Sequence, residues 1–153
     1  MDEEEAQSIA RGLMEKSQVA FLSTIREDGS PQTRAVENLR CGKRFPHLVP
    51  LFESHRDDLW IVISTNTSSS KVKELRMNPT AAVYYCDTEG YAGVMFGGVM
   101  EIAKDVKLKE AMWHDSWTRY YSKGVSDPDF TLLSMRPGYG KCYRHLEKCV
   151  FTI

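Results

Sequence analysis

Residues 19–39 have the sequence VAFLSTIREDGSPQTRAVENL, and this stretch decides the fold. Its first part, Val19 to Arg26, is rich in β-branched and aromatic residues, which favour strands. Asp28-Gly29 follows at once and is a strong hairpin signal, because both residues tolerate the positive φ angles of a tight turn. Pro31 to Leu39 then alternates in polarity as a returning strand does. The stretch therefore predicts an antiparallel β-hairpin.

The rest of the chain extends this pattern with further strands and a few helices. The opening segment is predicted to be a helix, since its apolar residues have helical spacing and Asp2 can cap it. A second helix begins at the end of residues 64–71 and is closed by Asn78-Pro79, and a longer one spans Asp105 to Tyr121. Strands are predicted at Leu48–Phe52, Leu59–Ser64, Ala81–Cys86, Val94–Ala103 and Phe130–Arg136, with a final strand after Pro137-Gly138 that runs to Ile153.

Strands and helices do not alternate regularly along this chain, which argues against a doubly wound parallel sheet. We predict a mainly β (α+β) fold, a small antiparallel β-barrel with flanking helices, formed as one domain by residues 1–153.

Composition excludes several classes of function. Lys plus Arg is 20 and Asp plus Glu is 21, so the formal net charge is −1. Nucleic-acid binding and attraction to acidic membrane surfaces both depend on excess positive charge, and neither is expected here. The acidic amino terminus does not resemble a secretory signal. The four cysteines form no Cys-x-x-Cys pair, so we expect reduced thiols in a cytoplasmic protein.

Residues 64–71, STNTSSSK, are the most informative segment for function. The first turn of a helix leaves backbone N–H groups unpaired and carries partial positive charge, so hydroxyls and a lysine gathered there can seat a phosphate. The alternative is that the serines only cap the helix and Lys71 is solvated. The glycines of a nucleotide P-loop are absent.

Two further features are candidates for binding. Arg34 lies in the middle of a predicted strand, where a rigidly held guanidinium can bind a phosphate or a carbonyl-rich ring bidentately, although it can equally be a solvated arginine on an edge strand. Aromatic residues share one face of the predicted late helix, at Trp113, Trp117, Tyr120 and Tyr121. This face is typical of packing against the barrel, and a subunit interface or a ligand-stacking face are the alternatives.

The sequence shows no pattern typical of a serine hydrolase or of a metal site. The four histidines are dispersed, and no pair has the spacing of a metal site on one helix. No Gly-x-Ser-x-Gly nucleophile elbow is present. No metal site is predicted.

In their order, the segments AFLSTIREDGSPQTRAV, LWIVISTNTSSSKVKELRMNPTAAVYY and SDPDFTLLSMRP resemble the flavin-binding split-barrel family of pyridoxamine 5′-phosphate oxidase, in its general stress protein branch. The resemblance implies a six-stranded split barrel, a homodimer, and FMN held at the subunit interface. By position it implies cofactor contacts from Arg34, Ala35 and Val36, from Ser64 and Thr65 at the end of the next strand, and from Ser69, Ser70 and Lys71 at the phosphate. Because a split barrel leaves sheet edges for a partner to cover, we expect the aromatic face at Trp113 and Trp117 to lie at the subunit junction, with Trp117 in contact with the cofactor.

Departures from the family pattern limit what the resemblance implies. Ser70 stands where the oxidases have arginine, Ala92 falls where they have a flavin-contacting glutamine, and the chain stops at Ile153 before their carboxy-terminal extension. We therefore expect a flavin-dependent oxidoreductase that is not a true pyridoxamine phosphate oxidase. The alternatives are a non-catalytic module that binds or senses flavin, a barrel that binds deazaflavin or haem, and an interaction protein with an empty cleft.

Overall fold

The computed structural model describes all residues 1–153, and it is built mainly of antiparallel strands. In chain order the elements are α1 (Glu3–Lys16), β1 (Val19–Ile25), β2 (Pro31–Glu37), α2 (Val49–Glu53), β3 (Ile61–Asn66), α3 (Ser70–Met77), β4 (Thr80–Asp87), β5 (Ala92–Ala103), α4 (Val106–Met112), β6 (Phe130–Met135), β7 (Tyr139–Arg144) and β8 (Glu147–Thr152). Short 3₁₀ turns occupy Pro46–Leu48, Asp115–Arg119 and Gly124–Ser126.

One antiparallel sheet contains all the strands and curls into a half-barrel. Along its main path the order is β2-β1-β4-β5-β6-β3, and the β7–β8 hairpin joins through β5. The twelve-residue strand β5 organises the sheet, since its first part pairs with β4 and β7 and its last part pairs with β6. This architecture confirms the predicted mainly β fold class and agrees with a split barrel.

The deciding hairpin forms as the sequence predicts. β1 and β2 pair in register from Val19 with Glu37 to Ile25 with Pro31. Gly29 occupies the turn with a φ of 83°, a conformation that glycine adopts without steric cost. The predicted helices at the amino terminus and after residues 64–71 are also confirmed, as α1 and α3.

Two apolar clusters form the core. The larger joins α1 and α3 to the inner face of the sheet, with Met14, Leu22, Val72, Phe96 and Phe151 among its members. The smaller cluster packs on the opposite face of β3 and β6, where Val62 and Leu132 lie, and it includes aromatic residues that follow α4. It consists of Leu39, Phe45, Leu48, Phe52, Trp60, Val62, Met112, Trp117, Tyr121, Phe130 and Leu132.

Three predicted elements were wrong. Residues 48–52 are helical rather than a strand, because Pro46 and Pro50 stand at the first positions of two short helical turns, where their missing N–H groups cost nothing. The helix predicted from Asp105 to Tyr121 ends at Met112 and is followed by a 3₁₀ turn. The final strand is a hairpin, β7–β8, which reverses through residues 145 and 146.

The longest helix, α1, has 14 residues. No helix in the structure has the length and apolarity that crossing a bilayer requires.

Candidate functional site

A cleft of about 310 Å³ lies where the two ends of the sheet path approach each other. β2 and β3 are those ends, and the cleft opens between them, beside the start of α3 and the aromatic segment after α4. Its lining residues are Ala35, Val36, Glu37, Ser64, Thr65, Asn66, Lys71, Trp117, Tyr120 and Tyr121. The residues come from four separate parts of the chain, which only the curling of the sheet brings together.

Lys71 provides the cation of this cleft. It lies in the first turn of α3, is half-buried, and makes no salt bridge or hydrogen bond with the protein. Burial lowers the pKa of its ammonium group, the charge of Arg34 lowers it further, and Glu74 partly opposes both. A half-buried ammonium without a counter-ion is electrostatically unsatisfied, so this end of the cleft favours an anion.

Arg34 is held against α3 and does not line the cleft. Its guanidinium donates to Thr24 Oγ1 at 2.5 Å and to the Gln32 carbonyl at 3.1 Å, and Nη2 lies 3.3 Å from Glu74 Oε1. Thr24 donates in turn to the other Glu74 oxygen at 2.9 Å. The network ties β1 and β2 to the helix that carries Lys71, and at Lys71 the charge of Arg34 outweighs that of its partner Glu74.

The serines at the start of α3 point to different places. Ser69 is the N-cap residue, yet its side chain makes no capping bond, and its Oγ is buried without any hydrogen-bond partner. Ser70 is exposed and lines a separate cleft of about 200 Å³ together with Arg26 and Lys73. Of the predicted Ser69-Ser70-Lys71 phosphate group, Lys71 alone lines the main cleft.

Asp129 already engages the loop before α3. Its carboxylate accepts from the Ser68 N–H at 2.8 Å and from Asn66 Nδ2 at 2.9 Å, and these bonds lower the pKa of the Asp129 carboxyl. Its carbonyl accepts from the Thr67 N–H at 2.6 Å. These donors are therefore taken. The Lys71 ammonium and the hydroxyls of Ser64 and Thr65 remain as polar groups of the cleft lining, and the Ser69 hydroxyl is buried without a partner.

Aromatic side chains from the segment after α4 form another part of the lining. Trp117 is buried, and its indole N–H donates to Glu37 Oε2 at 3.1 Å. Glu37 also accepts from Arg44 Nη2 at 2.8 Å, so its carboxylate is neutralised from outside the cleft. Burial raises the pKa of Tyr121 to about 12, with further contributions from nearby carboxylates, which keeps its hydroxyl protonated at neutral pH.

The structure brings together most of the residues predicted from the sequence. Ala35, Val36, Ser64, Thr65, Lys71 and Trp117 line one cleft, whereas Arg34, Ser69 and Ser70 lie around it. Glu37, Asn66, Tyr120 and Tyr121 also line it and were not among the predicted site residues. The two tyrosines could have been predicted as cleft residues, since they belong to the aromatic series that begins at Trp113. No sequence pattern pointed to Glu37 or Asn66.

Comparison with known proteins assigns this architecture to one group. The model of the family described as pyridoxamine 5′-phosphate oxidase matches residues 7–141. A crystal structure from Clostridium acetobutylicum, of a protein related to general stress protein 26 of Bacillus subtilis in the pyridoxinephosphate oxidase family, is 31% identical. That comparison covers 100% of this chain and 97% of the other, with a TM-score of 0.79. No curated protein matches the chain.

More distant structures share the fold. General stress protein 26 from Bacillus anthracis is 17% identical with a TM-score of 0.69, over 95% of this chain and 98% of the other. A heme binding protein from Mycobacterium smegmatis is 18% identical with a TM-score of 0.70, over 96% of this chain and 57% of that longer chain. At these identities the similarity establishes a common fold.

Proposed function

This chain belongs to the pyridoxamine 5′-phosphate oxidase family, and we propose that it binds FMN and acts as a flavin-dependent oxidoreductase on a small molecule. The observation that carries the proposal is Lys71, an unpaired half-buried cation in a cleft that is also lined by the aromatic side chains of Trp117, Tyr120 and Tyr121. FMN has the matching polarity, since it carries a phosphate at one end and a planar ring at the other.

The residues present fit such a ligand. The Lys71 ammonium would neutralise part of the phosphate charge, and the Ser69 hydroxyl, buried without a partner, would gain one. Arg34 would add positive potential while Glu74 holds its side chain in place. Because Ser70 is exposed in a different cleft, it contributes nothing to this seat, and the phosphate is held by fewer charges than an arginine at that position would supply.

Bound FMN would supply the redox chemistry, and the protein would supply binding, orientation and a shielded environment. Trp117 and Tyr121 would exclude water from the ring end of the cleft, because both are buried against the smaller core cluster. Tyr121 would keep its proton at neutral pH and could donate a hydrogen bond to a carbonyl oxygen.

We also propose that the functional unit is a homodimer with the cofactor at the subunit interface. The outer face of the sheet carries a row of directly opposed residues, Ala35, Phe21, Tyr84, Met95, Lys141 and Val150. Helices α1 and α3 pack against the inner face and leave this row uncovered. An apolar sheet face of this breadth is typical of a protein interface, and a second copy would cover it.

Tyrosine side chains also lie on the same outer face, over two glycines of β5. A Cβ on Gly93 would overlap the Tyr84 hydroxyl, and one on Gly97 would overlap the ring of Tyr139. These two glycines therefore let the tyrosines lie flat on the sheet. Because Ala35 belongs both to the row and to the cleft lining, the cleft opens onto the proposed interface.

Haem is the second candidate ligand, since a heme binding protein shares the fold. The cleft lining offers no histidine, cysteine or methionine as an axial ligand, although tyrosine can serve as one. FMN suits the unpaired lysine better. Two further candidates are deazaflavin, which shares the ring shape, and flavin binding without turnover.

The absorbance spectrum of the purified protein tests the proposal. FMN predicts flavin bands, release of FMN on denaturation as identified by mass spectrometry, and bleaching by dithionite. A haem spectrum, or a colourless protein that fails to take up added FMN, would refute it. Steady-state oxidation of NADH or NADPH over a panel of acceptors then separates an enzyme from a binding module.

A matched pair of lysine variants tests the anion seat. Lys71→Glu places a negative charge beside the phosphate and should weaken FMN binding by about tenfold or more. Lys73→Glu makes the same charge change two residues away, on the exposed side of α3, and should have little effect. Equal losses in both variants would show that only the general charge of α3 matters.

A further inference from the structure

A second cleft, of about 280 Å³, lies between the loop that follows β2 and helix α2. The cleft described above shares none of its residues. Its lining consists of Glu15, Arg40, Gly42, Lys43, Val49, Phe52, Glu53 and Arg56. Three of these residues are cationic and two are acidic.

Arg40 is the unusual member of this lining, because it is a charged side chain that is only 7% exposed and has no carboxylate partner. Its Nε donates to the Trp60 carbonyl and its Nη2 to the His55 carbonyl, each at 3.0 Å. The guanidinium carbon lies 4.8 Å from the centroid of the Phe52 ring. Backbone carbonyls and a ring face thus hold the group in a fixed orientation.

The guanidinium keeps donors free. Arginine has five N–H groups, and two of them are used. Nη1 has no acceptor in the protein. It is also not one of the buried polar atoms that lack a partner, since those are Arg11 Nε and Ser69 Oγ. Nη1 is therefore accessible to solvent, and Arg40 is one of the residues that line the cleft. The edge formed by Nε and Nη2 is taken by carbonyls, and the edge that includes Nη1 is available.

The charges around the cleft leave this donor edge uncompensated. Arg56 Nη1 lies 3.2 Å from Glu53 Oε1, so these two side chains neutralise each other. Among the lining residues, Arg40 and Lys43 then face one free carboxylate, that of Glu15. Asp58 also acts on Arg40 from outside the lining, and it is already paired with Arg136. Burial lowers the pKa of Arg40, which records the cost of holding the cation there without a counter-ion.

We propose that this cleft binds a small molecule through a carboxylate or phosphate group, with the free edge of Arg40 as the bidentate donor and Lys43 as the second cation. A planar guanidinium fork matches the oxygens of either group, and a fixed fork loses little entropy on binding. The volume of the cleft suits a small metabolite rather than a dinucleotide. If Arg40 serves only to tie the 55–60 loop to β2, added anions have no specific effect on it.

Nuclear magnetic resonance of the ¹⁵N-labelled full-length protein, saturated with FMN, tests the proposal. The Arg40 Nε–H resonance is followed during separate titrations with inorganic phosphate and with succinate, at constant ionic strength. A saturable shift in one titration identifies that group as the ligand, and saturation in both indicates a general oxyanion site. The absence of a saturable shift with either probe, or a shift that sodium chloride reproduces, overturns the proposal.

Variants locate the site without relying on Arg40 alone. Lys43→Glu should weaken the binding by about tenfold, whereas Lys107→Glu, the same change at an exposed lysine of α4, should leave it intact. The response should persist in Lys71→Glu, which separates this cleft from the proposed flavin seat. Unchanged binding in Lys43→Glu, or its loss in Lys71→Glu, contradicts the assignment.

Discussion

At the scale of single residues, the charge of Lys71, the cation of the proposed binding site, opposes folding of the unliganded protein. Folding half-buries its ammonium beside Arg34, and both effects lower its pKa below the ordinary lysine value of 10.5. In the pH interval between the folded and unfolded pKa values the unfolded chain binds more protons, so stability rises with pH across that interval. Below both pKa values the destabilising effect is present in full.

We therefore predict that Lys71→Met stabilises the unliganded protein at pH 7 and weakens FMN binding. The gain in the urea midpoint over the wild type should shrink as the pH approaches 10.5. Urea titrations at several pH values, with and without FMN, measure both effects. A variant that is less stable than the wild type at pH 7 without ligand would show that the aliphatic stem of Lys71 contributes more than its charge costs.

The candidate site was predictable at the residues whose local signal matched their role. Lys71 stood at a helix start, and Ala35 and Val36 lay in a strand that the Asp28-Gly29 turn placed firmly. Ser70 was assigned to the phosphate by the family resemblance. Adjacent helical residues point in directions about 100° apart, however, so Lys71 and Ser70 face different clefts. Glu37 could not be predicted as a cleft residue from the sequence, because its position depends on a hydrogen bond with Trp117, which is 80 residues away in the chain.

At the scale of elements, the segment after α4 shows tertiary packing overriding helical periodicity. The spacing of Trp113, Trp117 and Tyr121 predicted one helix face, and these three rings do cluster. They do so around Phe130, at centroid distances of 5.1, 5.8 and 5.2 Å. The chain leaves the helix at Trp113, which has an extended backbone with ψ of 136°. The spacing of four residues therefore correctly predicted that these rings cluster, but the segment that carries them is a 3₁₀ turn and not a continuous helix.

Phe130 is the centre of this cluster and 1% exposed, so we predict that Phe130→Ala destabilises the protein by about 3–5 kcal/mol through the cavity it leaves. Tyr120→Ala provides the control, because Tyr120 is 63% exposed and its loss should change stability by about 0.5 kcal/mol or less. Urea unfolding followed by tryptophan fluorescence measures both. A loss below about 1.5 kcal/mol in Phe130→Ala would mean that the neighbouring rings collapse into the space.

Strand prediction succeeded where turn chemistry was explicit. β1 and β2 have an Asp-Gly turn between them, and their bounds were close to those observed. The β7–β8 hairpin was missed because its turn at residues 145 and 146 contains no glycine, asparagine or aspartate, and His145 itself adopts a φ of 54°. The strand expected at residues 48–52 was wrong. Two short helical turns form there instead, each with a proline near its start, and they bury Phe52.

At the scale of the whole molecule, the uncovered outer face of the sheet is the surface on which we propose that a second copy binds. Met95 lies in the middle of its row, between Tyr84 and Lys141. We predict that the wild type is a dimer and that Met95→Glu shifts it toward monomer and weakens FMN binding, because the substitution would bury a carboxylate in an apolar contact. Analytical ultracentrifugation measures the first effect and fluorescence titration of FMN the second.

Val106→Glu is the matched control, since Val106 is 65% exposed on α4, away from this sheet face. It should leave the sedimentation of the dimer unchanged. A monomeric wild type that nevertheless retains FMN tightly would contradict both the dimer and the placement of the cofactor between subunits.

Ala35 is shared by the cleft and the proposed contact face, and this sharing has a thermodynamic consequence. A ligand seated against it would be enclosed only when two chains meet, so association and occupancy would be linked equilibria that strengthen each other by the same factor. The apparent dissociation constant for FMN would then depend on protein concentration, and dilution would release cofactor and separate the protomers together.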